Sequence, residues 1–293
     1  MIARPTREDE RFEQEPLTRY VIEGKTTQDE NFPVGSWLQP EDVRPHVLAF
    51  YAFARAADDI ADSPTLDRAA KLAGLAAVGA ALDGQTPTTP AEHAAARLSA
   101  DLALSGVTPL YAKHLLQAFT RDARNDPTRS WSDLITYCRF SAAPVGRFLI
   151  DVHGESAEAY PASDALCASL QVLNHLQDIK DDYRLRQRVY LPQQWLKAEG
   201  CSIEDLGAPR TSPALRRVID RVLDRVDELN ITARPLPRLI RRTGFRVEAA
   251  TIVAIAARLA RRLRRGDPLA HRIALSKAAR ALCVARGALR VIR

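Results

Sequence analysis

Apolar residues recur three or four positions apart along most of this chain, which is the spacing that places them on one face of an α-helix. Ala and Leu dominate, aromatic residues make up only 6%, and Pro or Gly separates successive segments. These features favour helices over strands. The pattern predicts a long helix that begins at 130, an amphipathic tail over 269–293, and further helices over about 40–62, 65–82, 91–104, 108–122, 162–186, 213–230 and 235–264.

The long helix that begins at Ser130 carries its own start signal and a bend. Ser130 and Asp133 have the spacing of a capping box. Pro144 lies inside this helix, where a proline removes one hydrogen bond and bends the backbone. Ala142 and Gly146 leave little side chain at the bend. The bend could make room for a long hydrocarbon chain, or it could be a packing kink without a ligand, and the residues alone leave both open.

A first acidic stretch lies at the end of the helix predicted over 40–62. Tyr51, Arg55, Asp58 and Asp62 fall at i, i+4, i+7 and i+11, which is one continuous helix face. Two carboxylates one turn apart repel each other by roughly 0.2–0.5 kcal/mol even when exposed, and by more where water is excluded. A cation is therefore expected between Asp58 and Asp62.

A second acidic stretch has similar spacing. Asn174, Asp178 and Asp182 fall at i, i+4 and i+8 on a helix whose other positions are mainly apolar. One such stretch is usually a solvated surface, but two of them predict the facing walls of a site for a hard divalent cation. Mg²⁺ prefers oxygen ligands and is typically held by one or two carboxylates and by phosphate oxygens, with Mn²⁺ as the alternative. Arg55 would then bind the phosphate through two parallel hydrogen bonds.

The residues in and around these stretches resemble the squalene/phytoene synthase family. The matching segments, in family order, are Asp58-Asp-Ile-Ala-Asp62, Tyr137-Cys-Arg-Phe-Ser-Ala-Ala-Pro-Val-Gly-Arg147, Asn174-His-Leu-Gln-Asp-Ile-Lys-Asp-Asp182 and Arg188-Val-Tyr-Leu-Pro192. The resemblance implies an all-α fold, an isoprenoid-synthase-type helical bundle with a central apolar cavity. It also implies a Mg²⁺-dependent reaction of prenyl diphosphates or presqualene diphosphate.

The resemblance further implies which residues act in the reaction. The catalytic residues would be Tyr51, Arg55, Asp58, Asp62, Asp178 and Asp182. The metal ligands would be Asp58, Asp62, Asn174, Asp178 and Asp182. The substrate-binding residues would be Phe32, Arg55, Tyr137, Ala142, Val145, Gly146, Asn174, Gln177, Arg188 and Tyr190.

Four of these assignments keep a plainer alternative. Tyr51 and Tyr190 could orient the diphosphate or stabilise charge, or they could be structural hydroxyls. Asn174 and Gln177 could bind the metal directly, or they could only support its waters and the neighbouring carboxylates. Spacing along the chain does not separate these alternatives.

The loop around Arg188 departs from the family pattern in two ways. The family usually has Gly before the matching arginine, where this chain has Gln187, and the spacing from Asp182 to Tyr190 is one residue longer than usual. The alternative for this arginine-rich loop is a solvated basic surface.

One segment near the start indicates a branch of the family. Condensing members commonly have a Ser-rich segment that grips a second diphosphate, whereas this chain has Asp29-Glu-Asn-Phe-Pro-Val34, a poor phosphate clamp. Together with Ala54-Arg-Ala-Ala-Asp-Asp-Ile-Ala-Asp62 and Ser141-Ala-Ala-Pro-Val-Gly-Arg147, that segment resembles the branch that converts presqualene diphosphate to hydroxysqualene in hopanoid biosynthesis, by ionisation, rearrangement and capture by water. The alternative is a condensing synthase that joins two prenyl diphosphates to squalene, dehydrosqualene, phytoene or presqualene diphosphate. No nicotinamide-binding fingerprint is present, so no nicotinamide cofactor is expected.

Composition limits the remaining classes of protein. The formal net charge of +6 suits an anionic substrate, an anionic membrane surface or nucleic acid, but the sequence has no nucleic-acid-binding motif. Four Cys without CxxC spacing argue against a zinc site or a disulfide framework. No signal sequence and no uncharged apolar run of about 18 residues is present, so a cytoplasmic protein is expected.

Residues 1–17 are expected to form a disordered arm, and residues 18–293 a single domain. Expected partners are presqualene diphosphate and the pathway enzymes upstream and downstream. The basic, amphipathic C-terminal tail could be a peripheral contact with the inner face of the membrane, or it could only cover the core with a solvated outer face. A non-catalytic helical protein that binds a membrane or a partner through this tail is the remaining alternative.

Overall fold

The computed structural model describes the backbone of residues 40–292 and the side chains of residues 40–289, and every regular element in this part is helical. Phe32, the predicted arm over 1–17 and the segment 29–34 lie outside the described residues. The predicted all-α fold is confirmed. The helices are α1 (Arg44–Asp62), α2 (Arg68–Leu82), α3 (Pro90–Ser105), α4 (Leu110–Arg124), α5 (Trp131–Ser141), α6 (Ala143–Val152), α7 (Tyr160–Gln177), α8 (Ile179–Arg186), α9 (Gln193–Ala198), α10 (Pro213–Ala233), α11 (Leu236–Leu239), α12 (Thr243–Arg265) and α13 (Lys277–Ile292).

Side chains at the helix starts explain several boundaries. Ser130 Oγ accepts a hydrogen bond from the backbone N–H of Asp133 at 3.1 Å, so α5 begins where the sequence predicts. The Asp133 carboxylate reaches back to the N–H of Arg129 at 3.0 Å, one residue before the expected partner. Asp67 and Thr89 cap α2 and α3 with their side chains.

Three predicted helices are interrupted in the structure. The long helix divides into α5 and α6 at Ala142, next to Pro144, so the predicted bend is a break. The helix predicted over 235–264 consists of the short α11 and the long α12. The helix predicted over 162–186 divides into α7 and α8 at Asp178, which has φ −103° and ψ 10°. The prediction of one continuous helix is wrong over 235–264 and over 162–186, whereas the interruption beside Pro144 lies where the bend was predicted.

Contacts from the segment between α12 and α13 hold the chain at Asp178. Gln177 Nε2 donates to the carbonyl oxygen of Ile273 at 2.6 Å, Lys180 Nζ donates to another backbone carbonyl there at 2.8 Å, and Arg272 binds Asp178 itself. Because these contacts come from almost a hundred residues away, the local sequence pattern does not reveal the break.

Two large buried clusters hold most of the helices together. The first is formed by α1 to α4, with Phe148 of α6 stacked on Phe50 of α1 at a centroid distance of 4.1 Å. The second is formed mainly by α5, α7, α10 and α12, and α7 packs against α6, α10 and α12. Removal of these apolar faces from water is the main force that assembles the helices.

Helices α7 and α12 run in the same direction, so both end on the same side of the molecule. Just before they start, the Glu155 carboxylate accepts hydrogen bonds from the backbone N–H groups of Arg241 and Arg242, both at 2.8 Å. Just after they end, Ile273 contacts Gln177. The candidate site lies at this second end.

Candidate active site

The two acidic stretches predicted from the sequence meet at one arginine. Arg186 Nε lies 2.8 Å from Asp62 Oδ2, and Arg186 Nη1 lies 3.3 Å from Asp182 Oδ1. Asp62 ends α1, and Asp182 lies in the first turn of α8, where a negative charge suits the helix dipole. Arg188 holds the other oxygen of Asp62 and donates to the carbonyl oxygen of Ala61 at 2.9 Å. Carboxylates from both stretches therefore lie together, and we call the region around Asp62, Asp182 and Arg186 the cleft.

The carboxylate of Asp58 shows the charge crowding expected on this face. Arg55 binds Asp58 at 2.8 Å and Asp59 at 2.7 Å. Burial, reinforced by the negative charge of Asp62, nevertheless raises the pKa of Asp58 to about 7. The Asp58 side chain still keeps 34% of its surface accessible, so a ligand can reach its carboxylate. A bound cation would relieve the crowding.

The spacing of the second stretch survives the break at Asp178. The N–H of Asp178 bonds to the carbonyl oxygen of Asn174 at 2.9 Å, and the N–H of Asp182 bonds to that of Asp178 at 2.8 Å. These three residues therefore remain one turn apart. The Asp178 carboxylate pairs with Arg272 Nε at 2.7 Å.

Each of the four predicted metal-binding aspartates contacts an arginine. Within residues 40–289, no three His, Cys, Asp or Glu side chains are placed close enough together to hold a metal ion. The donors themselves are of the type that Mg²⁺ prefers, because they are carboxylate oxygens, and burial together with the charge of Asp62 disfavours the ionised form of Asp58. The arginine guanidinium groups pair with these carboxylates and so occupy positions where a cation is stabilised.

Asp122 of α4 is a residue of the site that the sequence analysis missed. Its two carboxylate oxygens accept hydrogen bonds from Tyr137 Oη at 2.7 Å and from Tyr190 Oη at 2.9 Å. Burial raises the pKa of Asp122, although Arg188 and the two hydroxyls oppose this effect. A signal was present in the sequence, because Asp122 continues the buried stripe of Leu115, Ala118 and their neighbours at the spacing i, i+3 and i+7.

Burial also raises the pKa values of Tyr137 and Tyr190 well above their ordinary value. Both residues therefore stay protonated near neutral pH and act as hydrogen-bond donors. Their ring centroids are 5.3 Å apart, so the two side chains form a single aromatic unit, and both hydroxyls of this unit bind Asp122.

His175 is the second missed residue, and its signal was its place directly after Asn174 in the second stretch. Its ring stacks on the Tyr190 ring at a centroid distance of 3.6 Å. Its Nδ1 lies 3.8 Å from an Asp182 oxygen, and its Nε2 lies 3.3 Å from Gln171 Nε2. His175 therefore joins the aromatic unit to the acidic cleft. Arg186 was also missed as a site residue.

The small residues at the break between α5 and α6 pack against α7. A Cβ added at Gly146 would overlap Ser163 Oγ and would lie 2.7 Å from Cys167 Sγ. Ala142 is buried, and Val145 packs against the cluster formed by α1 to α4. These contacts favour the packing alternative over a hydrocarbon pocket at Gly146.

The remaining predicted residues have different surroundings. Tyr51 of α1 and Asn174 of α7 are half-buried on the helices that carry the acidic stretches. Gln177 is 4% exposed and donates to the carbonyl oxygen of Ile273. This contact favours a structural role for Gln177 over support of a metal ion.

Comparison with known proteins shows similarity over most of this chain. The sequence profile of the squalene/phytoene synthase family matches residues 25–279. The hydroxysqualene synthase of Rhodopseudomonas palustris is 46% identical over 252 residues, covering 86% of this chain and 85% of that protein. The hydroxysqualene synthase of Sinorhizobium fredii is 41% identical over 248 residues, which cover 85% of this chain and 84% of that protein. The crystal structure of a squalene synthase from Alicyclobacillus acidocaldarius is similar with a TM-score of 0.64 and 34% sequence identity. The match covers 78% of this chain and 88% of that one.

Proposed function

Because this chain belongs to the squalene/phytoene synthase family, whose members are enzymes that act on prenyl diphosphates, we propose that it converts presqualene diphosphate to hydroxysqualene and diphosphate. The observation that carries the diphosphate chemistry is the meeting of Asp62 and Asp182 at Arg186. The choice of branch rests on the similarity to two proteins named hydroxysqualene synthase.

We propose that Asp58, Asp62, Asp178 and Asp182 hold Mg²⁺, with Mn²⁺ as a substitute and with Asn174 beside them. The fit rests on the oxygen donors and on the raised pKa of Asp58, which results from burial and from the neighbouring negative charge of Asp62. When bound, the ions would neutralise the charge that develops on the departing diphosphate.

The arginines of the cleft supply the protein's own part of this stabilisation. Arg55, Arg186 and Arg188 already make short contacts to carboxylates, so their guanidinium groups reach the cleft. A guanidinium matches two diphosphate oxygens as well as it matches a carboxylate. We propose that these arginines bind the substrate diphosphate and stabilise it as the carbon–oxygen bond breaks.

Loss of diphosphate leaves a carbocation that must rearrange before water reaches it. The rings of Tyr137, His175 and Tyr190 lie together beside the cleft, and aromatic faces stabilise cations. Capture then forms one carbon–oxygen bond from a water molecule and releases one proton. This sequence needs no reductant, so no nicotinamide cofactor is proposed.

The test of this function supplies one substrate at a time to the purified protein with Mg²⁺. Presqualene diphosphate alone should yield hydroxysqualene and diphosphate, identified by mass spectrometry, and a chelator should abolish the reaction. Farnesyl diphosphate alone should yield no C30 product. Conversion of farnesyl diphosphate without a partner enzyme would overturn the proposal.

That last outcome would support the second candidate, a synthase that condenses two prenyl diphosphates. The similarity to a protein named squalene synthase favours this candidate. The two candidates share the cleft and differ in the number of substrates that must be held at once.

We also propose a peripheral membrane contact through α13. No helix in residues 40–292 is both long and apolar enough to cross a membrane. On α13, however, Leu282 and Leu289 are 40% and 61% exposed on one face, and exposed Arg286 lies between them. An apolar face with basic residues suits the surface of an anionic bilayer. Such a contact would place the enzyme near a water-insoluble product, between enzymes upstream and downstream.

A further inference from the structure

The fold contains two similar clusters in which one aspartate accepts hydrogen bonds from two tyrosines. In the first, which we call the cleft cluster, Asp122 accepts from Tyr137 at 2.7 Å and from Tyr190 at 2.9 Å. The guanidinium of Arg121 lies 5.2 Å from the centre of the Tyr137 ring.

In the second, which we call the distal cluster, Asp151 accepts from Tyr111 at 2.8 Å and from Tyr160. The guanidinium of Arg147 lies 5.0 Å from the centre of the Tyr160 ring. The distal cluster thus repeats the chemistry of the cleft cluster.

The two clusters lie at opposite ends of α7. Tyr160 begins α7, and the acidic cleft follows its last residue. With 18 residues and a rise of about 1.5 Å per residue, α7 separates the distal cluster from the cleft by about 27 Å. The cleft cluster lies next to the cleft, since Arg188 influences the pKa of Asp122 and His175 stacks on Tyr190 while approaching Asp182.

The Asp122 carboxylate fixes the orientation of both tyrosines of the cleft cluster. Each phenol has one hydroxyl proton, and both protons are committed to Asp122. Each phenol oxygen therefore presents only lone pairs elsewhere, and neither ring can turn without losing a charge-assisted hydrogen bond. Without Asp122, each hydroxyl would be able to donate in other directions, and the rings would be held only by packing.

We propose that Asp122 is a positioning residue that, through Tyr137 and Tyr190, determines where water captures the carbocation. This inference rests on the proposed function, because it concerns the cation formed in that reaction. A rearranging cation gives different alcohols or hydrocarbons according to which atom meets water or loses a proton. A fixed pair of phenols limits these outcomes, since their rings and lone pairs stabilise charge at one place.

The distal cluster supplies a matched control for testing this role. In Asp122→Asn, the amide NH₂ group cannot accept a hydrogen bond, so one tyrosine loses its acceptor. Asp151→Asn makes the same chemical change far from the cleft. We expect both variants to unfold at lower temperature than the parent chain, and only Asp122→Asn to change the reaction.

With presqualene diphosphate as substrate, Asp122→Asn should lower kcat about 10- to 100-fold, as loss of a residue that orients a catalytic group commonly does. It should leave KM nearly unchanged and should increase the share of C30 products other than hydroxysqualene. Asp151→Asn should keep the parent kcat and product ratio. In a Tyr137→Phe, Tyr190→Phe background, Asp122→Asn should have little further effect on either quantity, because its partners are absent.

Equal product ratios and equal kcat in Asp122→Asn and Asp151→Asn would overturn the inference. Should Asp122→Asn fail to fold, Tyr190→Phe keeps the ring and removes one hydroxyl, and an unchanged product ratio in that variant would count equally against it. If the parent chain converts only farnesyl diphosphate, the proposed function fails. The same variants then test Asp122 on that product, and equal ratios would again overturn its role.

Discussion

Asp62 is the residue at which both acidic stretches and the arginine-rich loop come together. It binds Arg186 and Arg188 at once, and Arg186 continues to Asp182. Such an arrangement costs desolvation of several charges and is therefore weak evidence of a purely stabilising role. A site that must hold a highly charged ligand gives a better reason for it.

Asp62→Asn should lower turnover of presqualene diphosphate by about 100-fold or more, because the carboxylate charge at the centre of the cleft is lost while an oxygen remains for one arginine. Steady-state kinetics across a Mg²⁺ titration measure the loss, and circular dichroism checks the fold. Asp83→Asn is the control, since Asp83 is 59% exposed and pairs with Lys113 outside the site. Unchanged turnover in Asp62→Asn would show that the Asp62 carboxylate takes no part in the reaction.

At the scale of single residues, the sequence located the acidic side chains and their partners Arg55 and Arg188, but not every residue that contacts them. Asp58 and Asp178 could be identified because their spacing is periodic. Asp122 and His175 could not be placed in the site, because their roles come from contacts with Tyr190 across 68 and 15 positions of the chain respectively. A buried-face aspartate on α4 was visible, but its tyrosine partners were not.

At the scale of elements, the junction of α7 and α8 shows why a helix can be predicted and its interruption missed. The i, i+4 and i+8 pattern through Asp178 is satisfied on both sides of the break, since the backbone bonds one turn apart persist. The break depends on Arg272 and its neighbours, which approach from the segment after α12. The local sequence around Asp178 therefore cannot predict the break, because the contacts that cause it come from a distant segment of the chain.

Helix α13 has one face that covers α12 and another that faces outward. Ala279 and Cys283 are buried against Ile255, and Gly287 fits closely because a Cβ there would lie 2.6 Å from Thr251 Oγ1. The covering role expected from the sequence is therefore present. This covering role does not explain Leu282 and Leu289, which are exposed on the outward face.

Replacement of Leu282 and Leu289 together by Glu should weaken binding to vesicles that contain an anionic lipid. The change removes apolar contact and adds negative charge, and the bound fraction should fall several-fold at low salt in a sedimentation assay. Leu104→Glu is the control, because Leu104 is 84% exposed and belongs to a different helix, α3. Equal binding by the double variant and the parent chain would exclude α13 as the contact.

At the scale of the whole molecule, composition and periodicity were sufficient for the fold class, since Ala- and Leu-rich amphipathic segments can bury their apolar faces only against one another. They did not show that α7 and α12 run in parallel. The contact that joins their starts is made by Glu155, whose carboxylate binds two backbone N–H groups just before α12. Although burial alone would raise the pKa of Glu155, these N–H donors bring it below its ordinary value.

Glu248, on α12, has the opposite electrostatic character. It is 4% exposed, and burial alone raises its pKa to about 7. The folded protein therefore favours the protonated form of Glu248, whereas the unfolded chain ionises near 4.5. The stability that this difference supplies is fully present below the unfolded pKa and is lost as the pH rises through the folded pKa.

Glu248→Gln should therefore become progressively more stable than the parent chain as the pH rises from 4.5 to about 7, by roughly 3 kcal/mol at the upper end, because the amide never has to ionise in the core. Thermal unfolding in chelator-containing buffers across this range measures the difference.

Glu155→Gln should have the opposite pH dependence, because the folded protein favours the ionised form of Glu155. Its deficit relative to the parent should be present above about pH 4.5 and should shrink below it, since the bound carboxylate is then protonated. Glu228→Gln, at a side chain that is 58% exposed, should follow the parent throughout. A pH-independent difference for Glu248→Gln would mean that this carboxyl group is hydrated in the folded molecule.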